Sequence, residues 1–153
     1  MAEASKQHSG IGKLAPLVGY HLRRAHGAFV VDITEALEGT GMCQVLLGIL
    51  AVVSNQPGIN QGAAGRILDI KRANMVSLIN ELVAAQMVYR VVDPQDRRAF
   101  SLNVTEKGEQ MLQDCLARIA RHEKRMLAGF NDADIEHLRN LLSRIERRHP
   151  IED

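Results

Sequence analysis

Apolar residues recur at three- and four-residue steps over most of the chain, and this spacing predicts helices with one buried face. The first such segment covers Lys13–Leu37, and Gly39-Thr40-Gly41 interrupts the pattern. Met42–Ser54 is apolar almost all round, so we expect a short helix buried on most sides. Asn55-Gln56-Pro57-Gly58 supplies turn residues that end it. The first third of the chain therefore predicts an amphipathic helix followed by a core helix.

Two further helices are predicted in the middle of the chain. Asn60 can cap a helix over Gln61–Leu68, because its side chain can accept a hydrogen bond from the first turn. After a tight link around Asp69–Lys71, a fourth helix covers Arg72–Gln86. The apolar positions of this fourth helix are spaced to form one buried face: Met75, Leu78, Ile79, Leu82 and Val83.

The apolar pattern then changes from a helical period to strict alternation. Met87–Val92 is typical of a strand, Asp93-Pro94-Gln95-Asp96 of a turn, and Ala99–Val104 of a returning strand. Two short helices followed by such a hairpin predict a winged helix-turn-helix. In that fold the second helix fills the major groove of DNA and the hairpin reaches the neighbouring minor groove. The expected fold class is mainly α with a small β-hairpin wing.

Two helices close the chain. A long one runs from Thr105 to about Phe130, and Asn131 or Asp132 caps the last. Apolar residues of the last helix alternate at three- and four-residue steps: Ile135, Leu138, Leu142 and Ile145. Nothing else in so short a chain would cover this stripe, so we expect a partner helix from a second copy.

The elements divide the 153 residues into two functional parts. We assign residues 41–104 to a winged helix-turn-helix DNA-binding domain, and residues 1–40 and 105–153 to dimerisation helices. With three Phe, two Tyr and no Trp, the chain has few rings on which bases could stack, which disfavours readers of RNA or single strands. The net charge of +1 is uninformative, so DNA binding must be argued from where the charges lie.

Polar side chains cluster where this fold would meet DNA. Arg and Lys suit phosphates and guanine edges, Asn can pair with adenine, and a cation at the end of a thin β-ribbon can enter the minor groove. The alternatives are an ordinary polar helix face and a solvated charged turn. The expected DNA-binding residues are Lys71, Arg72, Asn74 and Ser77 on the helix, and Asp96, Arg97 and Arg98 in the wing.

The wing sequence carries a family resemblance. Asp93-Pro94-Gln95-Asp96-Arg97-Arg98-Ala99, followed by Leu102-Asn103-Val104-Thr105-Glu106-Lys107-Gly108, resembles the D-x-x-D-x-R and L-T-x-x-G signature of the MarR family. The resemblance covers nearly the whole chain. It implies a dimeric, ligand-responsive regulator, most often a repressor, that binds palindromic operator DNA. It further implies that Arg98 enters the minor groove and that Asp96 braces the wing. Where the family often has Gly, this chain has Gln86.

The first helix holds candidate effector-binding residues. His21, Arg23 and Arg24 lie close together in sequence, and two guanidinium groups could neutralise a carboxylate or the phosphates of an acyl-CoA. This segment is similar to regulators of hydroxycinnamate and aromatic-acid catabolism. The resemblance implies an aromatic carboxylate or its CoA thioester as effector. The alternative is that both arginines are solvated or pair with acidic residues across a dimer.

Other chemistries find little support in the sequence. Cys43 and Cys115 have apolar neighbours, so both are expected to be buried, inert thiols rather than redox sensors. The histidines show no ligand spacing, so we expect no metal and no cofactor. There is no Ser/His/Asp set, phosphate loop or H-E-x-x-H motif, so we expect no enzyme.

Location and the competing function complete the expectations. The chain shows no signal peptide and no apolar run near 18 residues, which favours the reducing cytoplasm and no membrane partner. The alternative function is a winged-helix protein-interaction module without DNA binding. Asp96, Arg98 and the polar start of the fourth helix argue against it, since such a module does not need that set.

Overall fold

The computed structural model describes residues 12–92 and 100–147 of the chain. Within these residues the chain forms six α-helices and a small three-stranded antiparallel sheet, so the predicted fold class is confirmed. The elements are α1 (Val18–Ala36), α2 (Gln44–Asn55), β1 (Ile59–Asn60), α3 (Gln61–Leu68), α4 (Arg72–Ala84), β2 (Val88–Val92), β3 (Phe100–Val104), α5 (Glu106–Met126) and α6 (Asp132–Glu146).

Several predicted helix bounds differ from the observed ones, and three of them differ for a clear local reason. The first helix begins at Val18 rather than Lys13, because Pro16 disfavours helical backbone at the preceding residue. The fourth ends at Ala84, because Gln86 has a φ of 59°, in the left-handed region. The fifth ends at Met126 rather than near Phe130, and a left-handed Gly129 follows it.

The sequence pattern missed β1. Its two residues pair antiparallel with β3, so that Ile59 lies opposite Leu102 and Asn60 opposite Ser101. The Gly58 amide donates to the Leu102 carbonyl oxygen at 2.9 Å. Because β1 leads directly into α3, this pairing attaches the helix-turn-helix to the wing. The sheet order is β1-β3-β2.

The core lies in the winged part of the molecule. Side chains from α2, α4 and β3 are fully buried there, among them Ile49, Leu50, Met75, Ile79 and Leu102. The first half of α5 closes this core. By contrast, neither α1 nor α6 has a buried residue. The chain itself therefore covers much less of the apolar surface of α1 and α6 than of the winged part.

The start of α5 is anchored under the wing. The Thr105 hydroxyl donates to the Gln86 carbonyl oxygen at 2.7 Å, and it accepts from the Gly108 amide at 3.0 Å as the N-cap. A Cβ at Gly108 would overlap the Met87 carbonyl oxygen and the Val104 side chain, so only glycine allows this approach. Glu109 accepts a hydrogen bond from the Ser54 hydroxyl at 2.7 Å, which links α5 to α2.

Candidate DNA interface and effector site

The helix-turn-helix is held in a tight geometry. The Asn60 side chain caps α3 by accepting from the Ala63 amide at 2.8 Å, as predicted. Asp69 ends α3 in the left-handed conformation, with a φ of 56°, and its short polar side chain tolerates this region better than most. A Cβ at Gly65 would lie 3.0 Å from the Ile70 carbonyl oxygen and 3.1 Å from Met75 Cγ, so glycine allows α4 to cross close to α3.

The four polar residues predicted on the second helix are all exposed at or near its start. Lys71 occupies the N-cap position of α4, and Arg72, Asn74 and Ser77 follow it as exposed side chains within the first two turns. The other side of α4 is buried through Met75, Ile79 and Leu82. Phosphate commonly binds at such a cationic helix start, because the first amide hydrogens point outward.

The outermost line of α4 extends past these residues. At 3.6 residues per turn, the positions opposite the buried stripe are Ala73, Ser77 and Asn80, and all three are exposed. Asn80 was not among the residues predicted to bind DNA, although the helical period places it one turn beyond Ser77. Arg90 Nη2 donates to Asn80 Oδ1 at 2.6 Å. Arg90 was missed because its position in β2 alternates with apolar residues.

The body of the wing is described, but its turn is not. β2 and β3 pair from Val88 opposite Val104 to Val92 opposite Phe100. The predicted wing residues Asp96, Arg97 and Arg98 lie outside the described residues, so their roles stay predictions.

An apolar cleft separates the first half of α1 from α6. Its volume is about 500 Å³. Nine residues line it: Val18, His21, Leu22, Ala25, Leu138, Leu141, Leu142, Arg144 and Ile145. Of the three residues predicted to bind the effector, His21 faces this cleft. Its Nε2 atom lies 2.8 Å from the Ala15 carbonyl oxygen.

The two predicted arginines are placed differently from His21. Arg23 and Arg24 do not line the cleft; their guanidinium carbons lie 5.5 Å and 5.9 Å from the centre of the Tyr20 ring. Tyr20 in turn meets the His21 ring edge-on, with 5.7 Å between ring centres. The structure therefore groups the two cations around an aromatic ring beside the cleft rather than inside it.

A polar cluster around the buried His122 joins α1 to α5, and it was not among the sites predicted from the sequence. The Asp32 carboxylate contacts His122 Nδ1 and accepts a hydrogen bond from Arg125 Nη2 at 2.5 Å. His122 is fully buried, with the Phe29 ring edge-on at 5.5 Å between ring centres. Burial lowers the pKa of His122 below its ordinary value, and the charge of Arg125 lowers it further. The imidazole is therefore neutral at neutral pH.

The two thiols differ, which corrects one expectation. Cys115 is buried, and burial raises its pKa, as expected for an inert thiol. Cys43 is exposed, so the expectation that both are buried was wrong. Cys43 is the N-cap residue of α2, just outside the helix. The apolar neighbours that suggested burial, such as Met42 and Leu46, turn into the core while Cys43 points away from it.

Among residues 12–92 and 100–147, no group of three or more His, Cys, Asp or Glu side chains is placed to hold a metal ion. In the same ranges, no helix has the length and apolar character needed to cross a membrane.

Comparison with known sequences connects this arrangement to transcriptional regulators. The family model of the MarR family matches residues 47–99. A protein of Thauera aromatica, provisionally assigned as the transcriptional regulatory protein for the hcr operon, is 31% identical over 138 residues. The match covers 90% of this chain and 83% of that protein.

Solved structures give the same result for the fold. The transcriptional repressor CouR bound to a 23-mer DNA duplex matches with a TM-score of 0.85 and 28% identity, over 89% of this chain and 96% of that one. CouR from Rhodococcus jostii RHA1 bound to p-coumaroyl-CoA matches with a TM-score of 0.80 and 27% identity, over 92% and 99% of the two chains. The chain is therefore similar over most of its length to regulators of transcription.

Proposed function

This chain belongs to the MarR family of winged-helix transcriptional regulators, which are not enzymes, and from that premise we propose that it is an effector-released repressor. It binds palindromic operator DNA as a homodimer and leaves it when an aromatic acid or its CoA thioester binds. One observation carries the proposal: the exposed polar residues at the start of α4, in a fold shared at 28% identity with a DNA-bound repressor.

Uncovered apolar surface supports the homodimer. α1 and α6 bury no residue, and six of their large apolar side chains are exposed: Val18, Leu22, Val31, Leu138, Leu141 and Ile145. Helices with such stripes associate with partner helices. A second copy presents an identical stripe, and a two-fold dimer places two α4 helices on half-sites about one helical turn apart.

The surroundings of the cleft support the effector class. Its apolar walls suit an aromatic ring, while Arg23 and Arg24 stand beside it around Tyr20. Guanidinium groups bind carboxylates and phosphates in a bidentate manner. The match to a regulator solved with p-coumaroyl-CoA, at 27% identity, points to the same chemistry.

The test joins DNA binding to effector release. We expect the purified protein to shift a DNA fragment from its own promoter region, with an affinity that falls steeply as salt is raised. p-Coumarate or p-coumaroyl-CoA should raise the melting temperature and abolish the shift, whereas CoA alone and butyryl-CoA should not. Absence of any DNA shift would favour the protein-interaction alternative. A shift that none of the aromatic compounds abolishes would contradict the effector class.

A further inference from the structure

Arg90 reaches from the wing to α4, the second helix of the helix-turn-helix. In β2 it lies opposite Leu102, so its aliphatic stem leaves the sheet on the core-facing side, next to the fully buried Leu102. Arg90 is half-buried, and its guanidinium emerges beside α4, where it donates to Asn80 at 2.6 Å. This hydrogen bond therefore joins the two elements of the fold that approach DNA.

The chemistry of arginine fixes which way the Asn80 amide points. A guanidinium carries five N–H donors and no acceptor, so only the amide oxygen can face Arg90. Oδ1 thus accepts from Arg90, and the Nδ2 group of Asn80, with two donor hydrogens, faces away from Arg90. Oδ1 keeps a second lone pair, so the bond to Arg90 orients the amide without removing its oxygen as an acceptor. Held by Arg90, the Asn80 amide presents Nδ2 as its outward donor.

The position of Asn80 aims this donor outward. Asn80 is exposed and lies in line with Ala73 and Ser77, directly opposite the buried stripe of α4. The outward line of the second helix is the part of a helix-turn-helix that enters the major groove. The Nδ2 group therefore stands where phosphate oxygens and base acceptors are found.

We propose that Arg90 is a positioning residue that sets the Asn80 amide to donate a hydrogen bond from Nδ2 to an acceptor on operator DNA. The acceptor is a phosphate oxygen, guanine O6 or N7, adenine N7, or thymine O4. The inference rests on the proposed function, because it requires that α4 binds DNA. It adds a specificity determinant outside the set predicted from the sequence.

The test is a double-mutant cycle on Asn80→Ala and Arg90→Met, with Arg139→Met on α6 as the matched control. Operator affinity is measured at several salt concentrations by fluorescence anisotropy. We expect each single variant to bind at least about tenfold more weakly, the double variant no more weakly than Asn80→Ala, and the control like the parent. Methionine keeps the half-buried stem of Arg90 without its charge or its donors, and Arg90→Leu gives the same comparison if Arg90→Met fails to fold.

The salt dependence separates positioning from direct contact. If Arg90 acts through Asn80, Arg90→Met leaves the slope of log affinity against log salt unchanged. A slope smaller by about 0.9 for each lost contact, or an additive double variant, would show that Arg90 itself neutralises phosphate and would overturn the positioning role.

Further measurements identify the acceptor on the DNA. They also distinguish a failure of this inference from a failure of the proposed function. Operator duplexes with single-base substitutions distinguish a base acceptor, where Asn80→Ala loses preference at one base pair per half-site, from a phosphate, where all duplexes weaken equally. A parent that binds DNA while Asn80→Ala binds equally well overturns this inference alone. A parent that binds no DNA overturns the proposed function and the inference with it.

Discussion

Gln86 occupies a backbone conformation that suits glycine. Its φ of 59° places it in the left-handed region between α4 and β2, where the MarR-type pattern often has Gly. Side chains with a Cβ are strained in this region by about 1–2 kcal/mol. The turn between α4 and β2 therefore tolerates a residue with a Cβ in a strained backbone conformation.

This strain gives a prediction for two variants of one position. Gln86→Gly should have a free energy of unfolding about 1 kcal/mol higher than Gln86→Ala, because both remove the same side chain beyond Cβ and only glycine relieves the left-handed strain. Urea denaturation of the two variants measures the difference. Equal midpoints would mean that the turn at Gln86 is not held in this conformation in solution.

Gly108 is constrained by space rather than by its backbone angles. Gly108→Ala should lower the free energy of unfolding by about 1–3 kcal/mol, since the added methyl overlaps the Met87 carbonyl oxygen and forces α5 away from the wing. Gly62→Ala is the control: a Cβ there meets nothing closer than 3.5 Å. That control should be as stable as the parent or slightly more so. A Gly108→Ala variant as stable as this control would contradict the close approach.

At the scale of elements, the polar cluster around the buried His122 makes the free energy of unfolding depend on pH. The pKa of His122 is lowered by burial and by Arg125, whereas in the unfolded chain the imidazole is protonated near its ordinary pKa of 6.5. Below that pH the unfolded state binds more protons than the folded one, so the folded state loses stability as the pH falls. Above it both states are neutral and the contribution is constant.

The expected result is a loss of up to about 1.4 kcal/mol per pH unit below pH 6.5 that is attributable to His122. It is measured as the difference in unfolding free energy between the parent and His122→Gln from pH 5 to 8. The difference should be constant above pH 7 and should narrow or reverse towards pH 5. Gln113→Ala on the exposed side of α5 removes no titratable group and is the control, so its difference from the parent should not change with pH. Parallel curves for parent and His122→Gln would contradict the neutral, buried imidazole.

The elements differ in how far the sequence determines them. The bounds of α3 were predicted correctly, because Asn60 supplies a cap and Leu68 is followed by a polar link. β1 was missed, because two residues cannot display alternation and their pairing is defined only by β3. Capping and turn residues in the sequence predict where a helix begins and ends. A short strand defined by pairing with a residue far away in the sequence can be recognised only in the tertiary structure.

The residues of the candidate site likewise differ in whether the sequence alone could predict them. The polar start of α4 could be predicted because its residues are neighbours in sequence and the helical period separates them from the core. The Arg90–Asn80 and Asp32–His122 contacts could not, since each joins side chains of two different elements. The exposure of Cys43 was mispredicted because composition near a helix end does not say which neighbours turn inward.

At the scale of the whole molecule, the exposed stripes of α1 and α6 predict the oligomeric state. Replacing Leu138 and Leu142 with Asp should convert the dimer to monomers or aggregate, because charges would be buried at the helix contact. Sedimentation velocity measures this, with Asn140→Asp on the exposed side of α6 as a control that stays dimeric. A parent that sediments as a stable, folded monomer would refute the homodimer.

α5 connects the two ends of the protomer. It has 21 residues and is therefore about 31 Å long. Gly108 fixes one end under the wing and His122 lies near the other, against α1. A rigid rod of that length tilted by about 5° moves its far end by about 2.7 Å, close to the rise of one base pair, about 3.4 Å. In the proposed dimer, so small a tilt in each protomer shifts the two α4 helices away from the spacing of their half-sites. Binding of the effector therefore needs to cause only a tilt of this size to release the DNA.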